Sequence, residues 1–316
     1  MKKIVIFILL IGCISFSSLA QKEIKPSTSN AEKALRAGKY EEAKQIIDAT
    51  TSNQSYMVDK KGGPSKNAAT AWYLRGVIYA AFDTTKVESA KALVPDGFPT
   101  AKESFEKSKE IDKGETPAFL KDAMGFPMMN EQVNAFLAQS YFTTAVSAYQ
   151  DDKDYKKAFE FTERTLYFIP NDTAILMNAG IFFAPSANEY DKAIKYIKEY
   201  QTKGGGSQDA YIMLFSIYRD QKKDNEAALK LAQELVAKYP NNSEYPKFLL
   251  DMYVKMEKLP EAKALMEKQI AADAQDKESR YFLGVICNEL KEPENAKKWF
   301  QEAIKIDPTY FEPQLA

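Results

Sequence analysis

The sequence predicts an all-α protein built from repeated pairs of helices, and three observations lead to this fold class. Residues 291 to 308, "KEPENAKKWFQEAIKIDP", place apolar side chains at positions 296, 299, 300, 303 and 304, the spacing of a helix that buries one face. A turn followed by an alanine recurs along the chain. No stretch alternates apolar and polar residues with the composition of a β-strand.

The first 20 residues have the pattern of a signal peptide. Two lysines open the segment, an apolar run ends near Phe16, and Ser18 and Ala20 are the small residues that a signal peptidase reads. The run is shorter than the roughly 20 apolar residues that span a bilayer. We therefore expect export, with residues 1–20 removed and 21–27 forming a linker.

A second interpretation of this segment stays open. Residues 10 to 13, "LIGC", resemble a lipobox, which would make Cys13 the lipidated first residue of a bacterial lipoprotein. Cleavage after Ala20 is favoured because a lipobox at Cys13 leaves only about eight apolar residues before it. The predicted location is the periplasm, with a membrane face as the alternative.

Seven alanines stand in one register after similar turns. Their separations are 58, 57, 35, 35, 34 and 34 residues, so the last four intervals share one period. An alanine on the buried face of a helix allows close approach of a neighbouring helix. The seven positions are Ala43, Ala101, Ala158, Ala193, Ala228, Ala262 and Ala296.

A period near 34 with two helices per unit resembles the tetratricopeptide repeat, whose pattern is W-x2-L-G-x2-Y, then A-x3-F, then P. The resemblance implies a right-handed superhelical solenoid of about seven units. The pattern is fullest in the second and last repeats. The matching residues there are Trp72, Gly76, Tyr79, Gly284, Phe300, Ala303 and Pro308, together with Ala101 and Ala296.

The spacing divides the chain into an irregular and a regular part. Residues 28–130 are expected to hold repeat-like units with long insertions, and residues 131–308 the regular array. The insertions fall near residues 51–68, 82–96 and 113–130. For the third we expect a short extra helix packed on the repeats, with a Met-rich and Phe-rich contact surface as the alternative.

Residues 309–316 start a further helix and are too short to cap the array. We expect an exposed apolar end that associates with a copy of the chain or belongs to a longer array; a minimal lid made by Tyr310 and Phe311 is the alternative.

The family resemblance also implies a concave surface lined by the first helix of each unit. Peptide or protein partners bind there in the family. Lys247 is followed by Asp251, where a clamp for terminal carboxylates would need asparagine, so the clamp pattern is broken. The implied groove residues are Tyr73, Met177, Ile212, Arg219, Lys247, Asp251, Lys255, Tyr281 and Asn288.

Composition argues against several other functions. The net charge is −1, and it becomes −3 once residues 1–20 are removed, so there is no basic excess for binding nucleic acid. The chain has no histidine, which excludes Ser-His-Asp and Cys-His catalysis and histidine metal ligands. After cleavage Cys287 is the single cysteine, and we expect it to be a buried packing residue.

These features predict a non-catalytic scaffold of the bacterial cell envelope that binds a protein or peptide, without cofactor or metal. One alternative is a membrane-attached lipoprotein subunit of an assembly or secretion complex. An alternative from another class is a hydrolase that uses paired carboxylates, although no pair is marked out by its spacing.

Intact-mass measurement of the exported protein decides between the two signals. We expect a chain that begins at Gln21. A mass that corresponds to Cys13 carrying acyl chains would instead establish the lipoprotein interpretation.

Overall fold

The computed structural model describes residues 24–122 and 124–309. This part of the chain falls into two compact units, which divide between Tyr141 and Phe142. The predicted signal segment, Cys13 and the terminal aromatic residues Tyr310 and Phe311 lie outside the described residues.

Unit 1, the described residues up to Tyr141, is mainly helical with one short hairpin. Its helices begin with two pairs that contain Ala43 and Ala101 in their second members. The elements are α1 (Thr28–Arg36), α2 (Tyr40–Ser52), α3 (Gln54–Met57), α4 (Ala68–Thr84), α5 (Glu88–Leu93), α6 (Phe98–Asp112), β1 (Leu120–Lys121), β2 (Pro127–Met128) and the start of α7 (Asn130–Gln150).

Unit 2, from Phe142 onward, continues with helix pairs in which two first helices contain a π-helical turn. The elements after α7 are α8 (Tyr155–Phe168), α9 (Thr173–Asn178), π1 (Ala179–Phe183), α10 (Ala184–Ser186), α11 (Tyr190–Thr202), α12 (Gln208–Ser216), π2 (Ile217–Gln221), α13 (Asn225–Lys238), α14 (Tyr245–Lys255), α15 (Leu259–Ala272), α16 (Lys277–Glu289) and α17 (Pro293–Ile306). The all-α prediction is confirmed.

The recurring alanine lies in the second helix of every pair, and all seven alanines are buried. In three of the pairs, the side chain four residues after the alanine packs on a glycine of the first helix, which is Gly76, Gly180 or Gly284. A Cβ atom built on Gly76 would lie 2.8 Å from the Phe105 ring, and one on Gly284 would lie 2.6 Å from the Phe300 ring. In these repeats, small residues on both helices therefore set the close contact.

The turn between the paired helices is also repeated. In six of the seven pairs, the residue five positions before the alanine has positive φ, between 53° and 70°. At Gly38 this conformation costs little, whereas the side chains at the other five positions adopt it at some cost. Those positions are Lys153, Asn188, Lys223, Glu257 and Lys291.

The constant turn explains the two intervals of 35 residues. Tyr253 and Cys287 each precede the positive-φ residue by four positions, while the equivalent Phe183 and Tyr218 precede it by five. The extra residue therefore lies in the first helix, where the structure has π1 and π2. In π2 the amide of Lys222 donates to the Ile217 carbonyl five residues earlier, at 2.9 Å. A single inserted residue is thus absorbed as a π-turn.

The three insertions of unit 1 form local structure. The first contains α3 and an isolated bridge between Val58 and Pro64, and the second contains α5. The third does not form the expected short helix. It forms the antiparallel β1–β2 hairpin, because the Asp122 carboxylate accepts hydrogen bonds from the amides of Met124 and Phe126, both at 2.9 Å, and Gly125 takes φ 90°.

Deleting Gln221 tests the origin of the π-turn. The deletion restores the four-residue spacing between Tyr218 and Lys223, so a regular α-helix should replace π2. We expect cooperative unfolding with a free energy within about 1 kcal/mol of the parent chain.

The matched control deletes Lys255, which ends the regular helix α14. There the missing residue rotates the helix end by about 100° against the fixed turn, and we expect a loss of more than about 3 kcal/mol. Equal losses in the two deletion variants, measured by chemical denaturation, would contradict the insertion model.

Candidate functional site

The predicted groove residues of unit 2 lie on first helices, as the repeat register requires. Met177 lies on α9, Ile212 on α12, Arg219 on π2, and Lys247, Asp251 and Lys255 on α14; Tyr281 and Asn288 lie on α16. Arg219 joins π2 to Asp251 of α14, and Lys247 of α14 lies near Glu278 of α16. We call this surface the first-helix face.

Arg219 is the centre of the polar contacts on the first-helix face. Its guanidinium donates to both oxygens of the Asp220 carboxylate, at 2.8 and 2.9 Å, and to Asp251 at 2.9 Å. The ammonium of Lys255 donates to the Arg219 carbonyl at 3.2 Å. Hydrogen bonding from Arg219 holds the pKa of Asp220 below its ordinary value. The π-turn of one repeat is thereby joined to α14 of the next.

Lys247 makes a second connection, between α14 and α16. Its ammonium lies 3.1 Å from Glu244 and 3.8 Å from Glu278. The hydrogen bond to Glu244 raises the pKa of Lys247 above its ordinary value. Arg219 and Lys247, two of the cations expected to contact a partner, are therefore already paired with carboxylates, and the face presents both signs of charge.

Exposed apolar side chains accompany these ion pairs. Ile212 lies one helical turn before Ser216, whose hydroxyl donates to Asp220 at 3.3 Å. Val254 follows Lys247 by seven residues, which is two helical turns. Both side chains therefore share the face with the charged groups, and both are exposed.

Sequence reasoning missed three exposed side chains on these helices: Phe182, Val254 and Phe282. Phe282 follows Glu278 by four residues, so helical spacing places it beside the Lys247 contact. Helical spacing from Lys247, seven residues earlier, could likewise have identified Val254. Phe182 belongs to π1, where the inserted residue breaks the ordinary spacing.

The remaining predicted groove residues of unit 2 differ in how far their side chains are exposed. Asn288 is exposed and Met177 is partly buried. Tyr281 is also partly buried, and its ring lies 5.8 Å from Phe300 and 5.5 Å from Phe282. The Tyr281 side chain therefore packs within its own repeat and is only partly available on the first-helix face.

Tyr73 does not belong to an open groove, and this prediction is wrong. Its side chain is buried in unit 1, with ring centroids 4.7 Å from Phe119 and 5.3 Å from Phe105. Phe119 precedes the hairpin, so the insertion covers the tyrosine that an uninterrupted repeat would expose. The buried Tyr73 hydroxyl has no hydrogen-bond partner.

Unit 1 contains a polar cluster around Asp48 of α2. The carboxylate accepts hydrogen bonds from Lys44, Arg75 and Tyr79, each at 2.9 Å. Arg75, which replaces the leucine of the family pattern, also donates to Ser104 of α6 at 3.0 Å. The cluster joins α2, α4 and α6.

The electrostatics of the cluster favour a structural role. Burial opposes ionisation of Asp48, but hydrogen bonds from Lys44, Tyr79 and Arg75 outweigh it and hold the pKa of this carboxyl below its ordinary value. A carboxylate stabilised in this way is a poor general base at neutral pH.

Other chemical groups give no candidate active site. Cys287 is buried, and burial raises the pKa of its thiol, which disfavours the nucleophilic thiolate. Across residues 24–122 and 124–309, no three His, Cys, Asp or Glu side chains are grouped to hold a metal ion. Within the same ranges, no helix has both the length and the hydropathy of a transmembrane span.

Comparison with known proteins identifies one repeat directly. The tetratricopeptide repeat family model matches residues 277–310, which contain α16 and α17. No curated protein matches the chain.

Solved structures with similar folds are distant in sequence. YrrB, a tetratricopeptide-repeat protein with an unusual peptide-binding site, is 18% identical, with 56% of this chain and 90% of that chain covered and a TM-score of 0.42. One MamA structure is 19% identical, covers 57% and 96%, and has a TM-score of 0.44. MamA from Desulfovibrio magneticus RS-1 is 16% identical, covers 55% and 96%, and has a TM-score of 0.42.

The Asp48 cluster makes a prediction about stability and pH. Because the folded pKa of Asp48 lies below its unfolded value of about 3.9, the carboxylate stabilises the fold above that pH, and this contribution is lost as pH falls through the folded pKa. We expect Asp48→Asn to lower the free energy of unfolding by about 1–3 kcal/mol at pH 7.

Chemical denaturation from neutral pH down to about pH 2 measures the effect. The difference between Asp48→Asn and the parent should shrink below about pH 4. Glu88→Gln, which removes an exposed partner of Lys91 on α5, is the control and should change stability by less than about 1 kcal/mol. A loss for Asp48→Asn that is independent of pH would contradict the ionic interpretation.

Proposed function

We propose that the chain is a tetratricopeptide-repeat protein, of which residues 277–310 match the family model, and that the first-helix face of unit 2 binds an extended segment of a partner protein. Tetratricopeptide-repeat proteins are in general protein–protein interaction scaffolds, and the repeated helix pairs of this chain support the same general role. The finer proposal concerns where the partner binds and what chemistry it presents.

The distribution of exposed apolar side chains carries the proposal. Among the described residues of unit 2, the large apolar side chains classed as exposed are Tyr155, Phe182, Ile212, Val254 and Phe282. The last four lie on successive first helices, one on each, and only Tyr155 lies on a second helix. The four lie at different positions along their helices, 11, 16, 8 and 14 residues before the alanines of their repeats. Apolar side chains on the first helices of successive repeats suit a segment that crosses several repeats and contributes one anchor to each.

The charges of the face indicate the rest of the partner's chemistry. Arg219 pairs with Asp251, and Lys247 lies near Glu278, so neither sign of charge dominates. A strongly acidic or strongly basic segment would gain little net attraction here. We therefore propose a partner segment with spaced apolar side chains, whose remaining residues are either uncharged or carry positive and negative charges in similar number.

The proposed location is the bacterial cell envelope. It rests on the signal-like pattern of residues 1–20, and the scaffold would meet its partner in the periplasm. The alternative, a lipoprotein subunit of a membrane-associated assembly, keeps the same binding face and differs only in the attachment of Cys13.

We propose a non-catalytic role. Two carboxylates of the first-helix face, Asp220 and Asp251, both bind the same guanidinium. Carboxylates neutralised in this way are unsuited to the separate acid and base roles of a hydrolase. No observation in the described residues favours the hydrolase alternative.

Substitution of two apolar anchors tests the proposal. We expect the double variant Ile212→Ser, Val254→Ser to retain the thermal midpoint, since both side chains are exposed, and to weaken partner binding by tenfold or more, since buried apolar anchors dominate interface energies. The partner is first cross-linked to the exported protein, recovered and quantified. The purified partner is then titrated against the parent and the double variant, and the two dissociation constants are compared.

Tyr155→Ser is the matched control, because Tyr155 is exposed to a similar extent but lies on the second helix α8. It should leave binding unchanged. The opposite pattern, with Tyr155→Ser impaired and the double variant intact, would move the binding surface away from the first helices.

A further inference from the structure

Unit 1 exposes an apolar surface that the proposed function does not use. Met124 and Phe126 near the tip of the hairpin are 82% and 64% exposed, and Met129 and Phe136 at the start of α7 are 41% and 69% exposed. We call these four side chains the hairpin surface. These four exposed apolar side chains lie within 13 residues of the sequence, and exposed apolar side chains gathered in one region mark interaction sites.

The support beneath the hairpin surface is held by several contacts. Phe119 packs on Tyr73, and Leu120 of β1 is buried. The Asn130 side chain accepts from the Phe119 amide at 3.2 Å and donates to the Thr116 carbonyl at 2.8 Å. Because the support is already ordered, little backbone conformational entropy is lost when the exposed side chains are covered.

A second copy of the chain is the occupant that fits the charge of this surface. Between residues 119 and 137 the charged residues are Lys121, Asp122 and Glu131, a net charge of −1. The Asp122 carboxylate is occupied by two backbone amides of its own turn. In a two-fold contact each residue meets the same surface of its copy, and so small a net charge causes little repulsion.

The exposed area also matches a two-fold contact. An aromatic side chain carries about 150–250 Å² and methionine is of similar size, so the exposed fractions correspond to on the order of 500 Å² per copy. Two copies would bury about 1,000 Å², the lower limit for a specific interface. A lipid surface is less well matched, because anionic lipids attract clusters of basic residues and Lys121 is the single cation here.

We propose that the hairpin surface pairs two copies of this chain in a two-fold dimer. The insertion thus provides an assembly contact on unit 1 that is independent of partner binding on unit 2. The dimer would be weak, with a dissociation constant of micromolar order, because the buried area is small.

Sedimentation of the exported, processed protein over roughly 1–200 µM tests the proposal. We expect a monomer–dimer equilibrium, and we expect the double variant Met124→Ser, Phe126→Ser to raise the dissociation constant about tenfold or more while the circular dichroism spectrum is unchanged. Phe182→Ser is the matched control: this phenylalanine is exposed but lies on unit 2, so the variant should dimerise as the parent does.

The proposal is wrong if the protein is a monomer at every concentration, or if the hairpin double variant dimerises as strongly as the parent. It is also wrong if removal of residues 309–316 alone abolishes the dimer. A monomer that binds phosphatidylcholine vesicles only when Met124 and Phe126 are present would overturn it in favour of a lipid surface. The proposed function is tested separately, because Ile212→Ser, Val254→Ser should leave the dimer intact.

Discussion

The close contact between the two helices of a repeat is the constraint on which the rest of the structure depends. A buried alanine in the second helix and, in the clearest cases, a glycine in the first allow the helix backbones to approach. The side chain four residues after the alanine then fills the remaining space, as Phe105 does against Gly76 and Phe300 against Gly284. Each repeat therefore fixes its own geometry from within, and local variation elsewhere can be tolerated.

The π-turns show how this tolerance works. The positive-φ turn and the alanine five residues later are fixed in relation to each other, so an extra residue cannot be placed between them. It is accommodated upstream, where π1 and π2 widen the first helix by one residue. In the fifth repeat the widened turn carries Arg219, which reaches Asp251 of α14, and Asp220, which binds the same guanidinium. The π-turns lie on the face that we propose for binding, and π-turns in proteins are frequently found at functional sites.

The parts of the fold that sequence could predict are those set by short, local patterns. The alanine register predicted the helix pairs, because it depends on one residue type at one position, and the Gly76 and Gly284 contacts follow from the same pattern. The hairpin was not predicted, because its apolar residues suit a helix equally well and the structure depends on Asp122 binding the amides of its own turn. The burial of Tyr73 could not be predicted without knowing that Phe119 covers it.

The first-helix face could be predicted in part, and the reason for the partial success is physical. Repeat register determines which helix of a pair a residue belongs to, so Ile212, Arg219 and Lys247 were assigned to the first helices on which the structure has them. It does not determine whether a charged side chain is free, and the structure shows Arg219 and Lys247 paired with carboxylates of their own face.

These ion pairs also decide which forces can hold a partner. A cation that already has a carboxylate beside it offers a partner only an exchange of one ion pair for another, which contributes orientation and selectivity more than affinity. The affinity must come mainly from apolar contact, and Ile212, Val254 and Phe282 are the exposed side chains that can supply it. Charge on the first-helix face would then reject segments with a strong charge of either sign, while the apolar residues, one per repeat, fix the register in which an accepted segment binds.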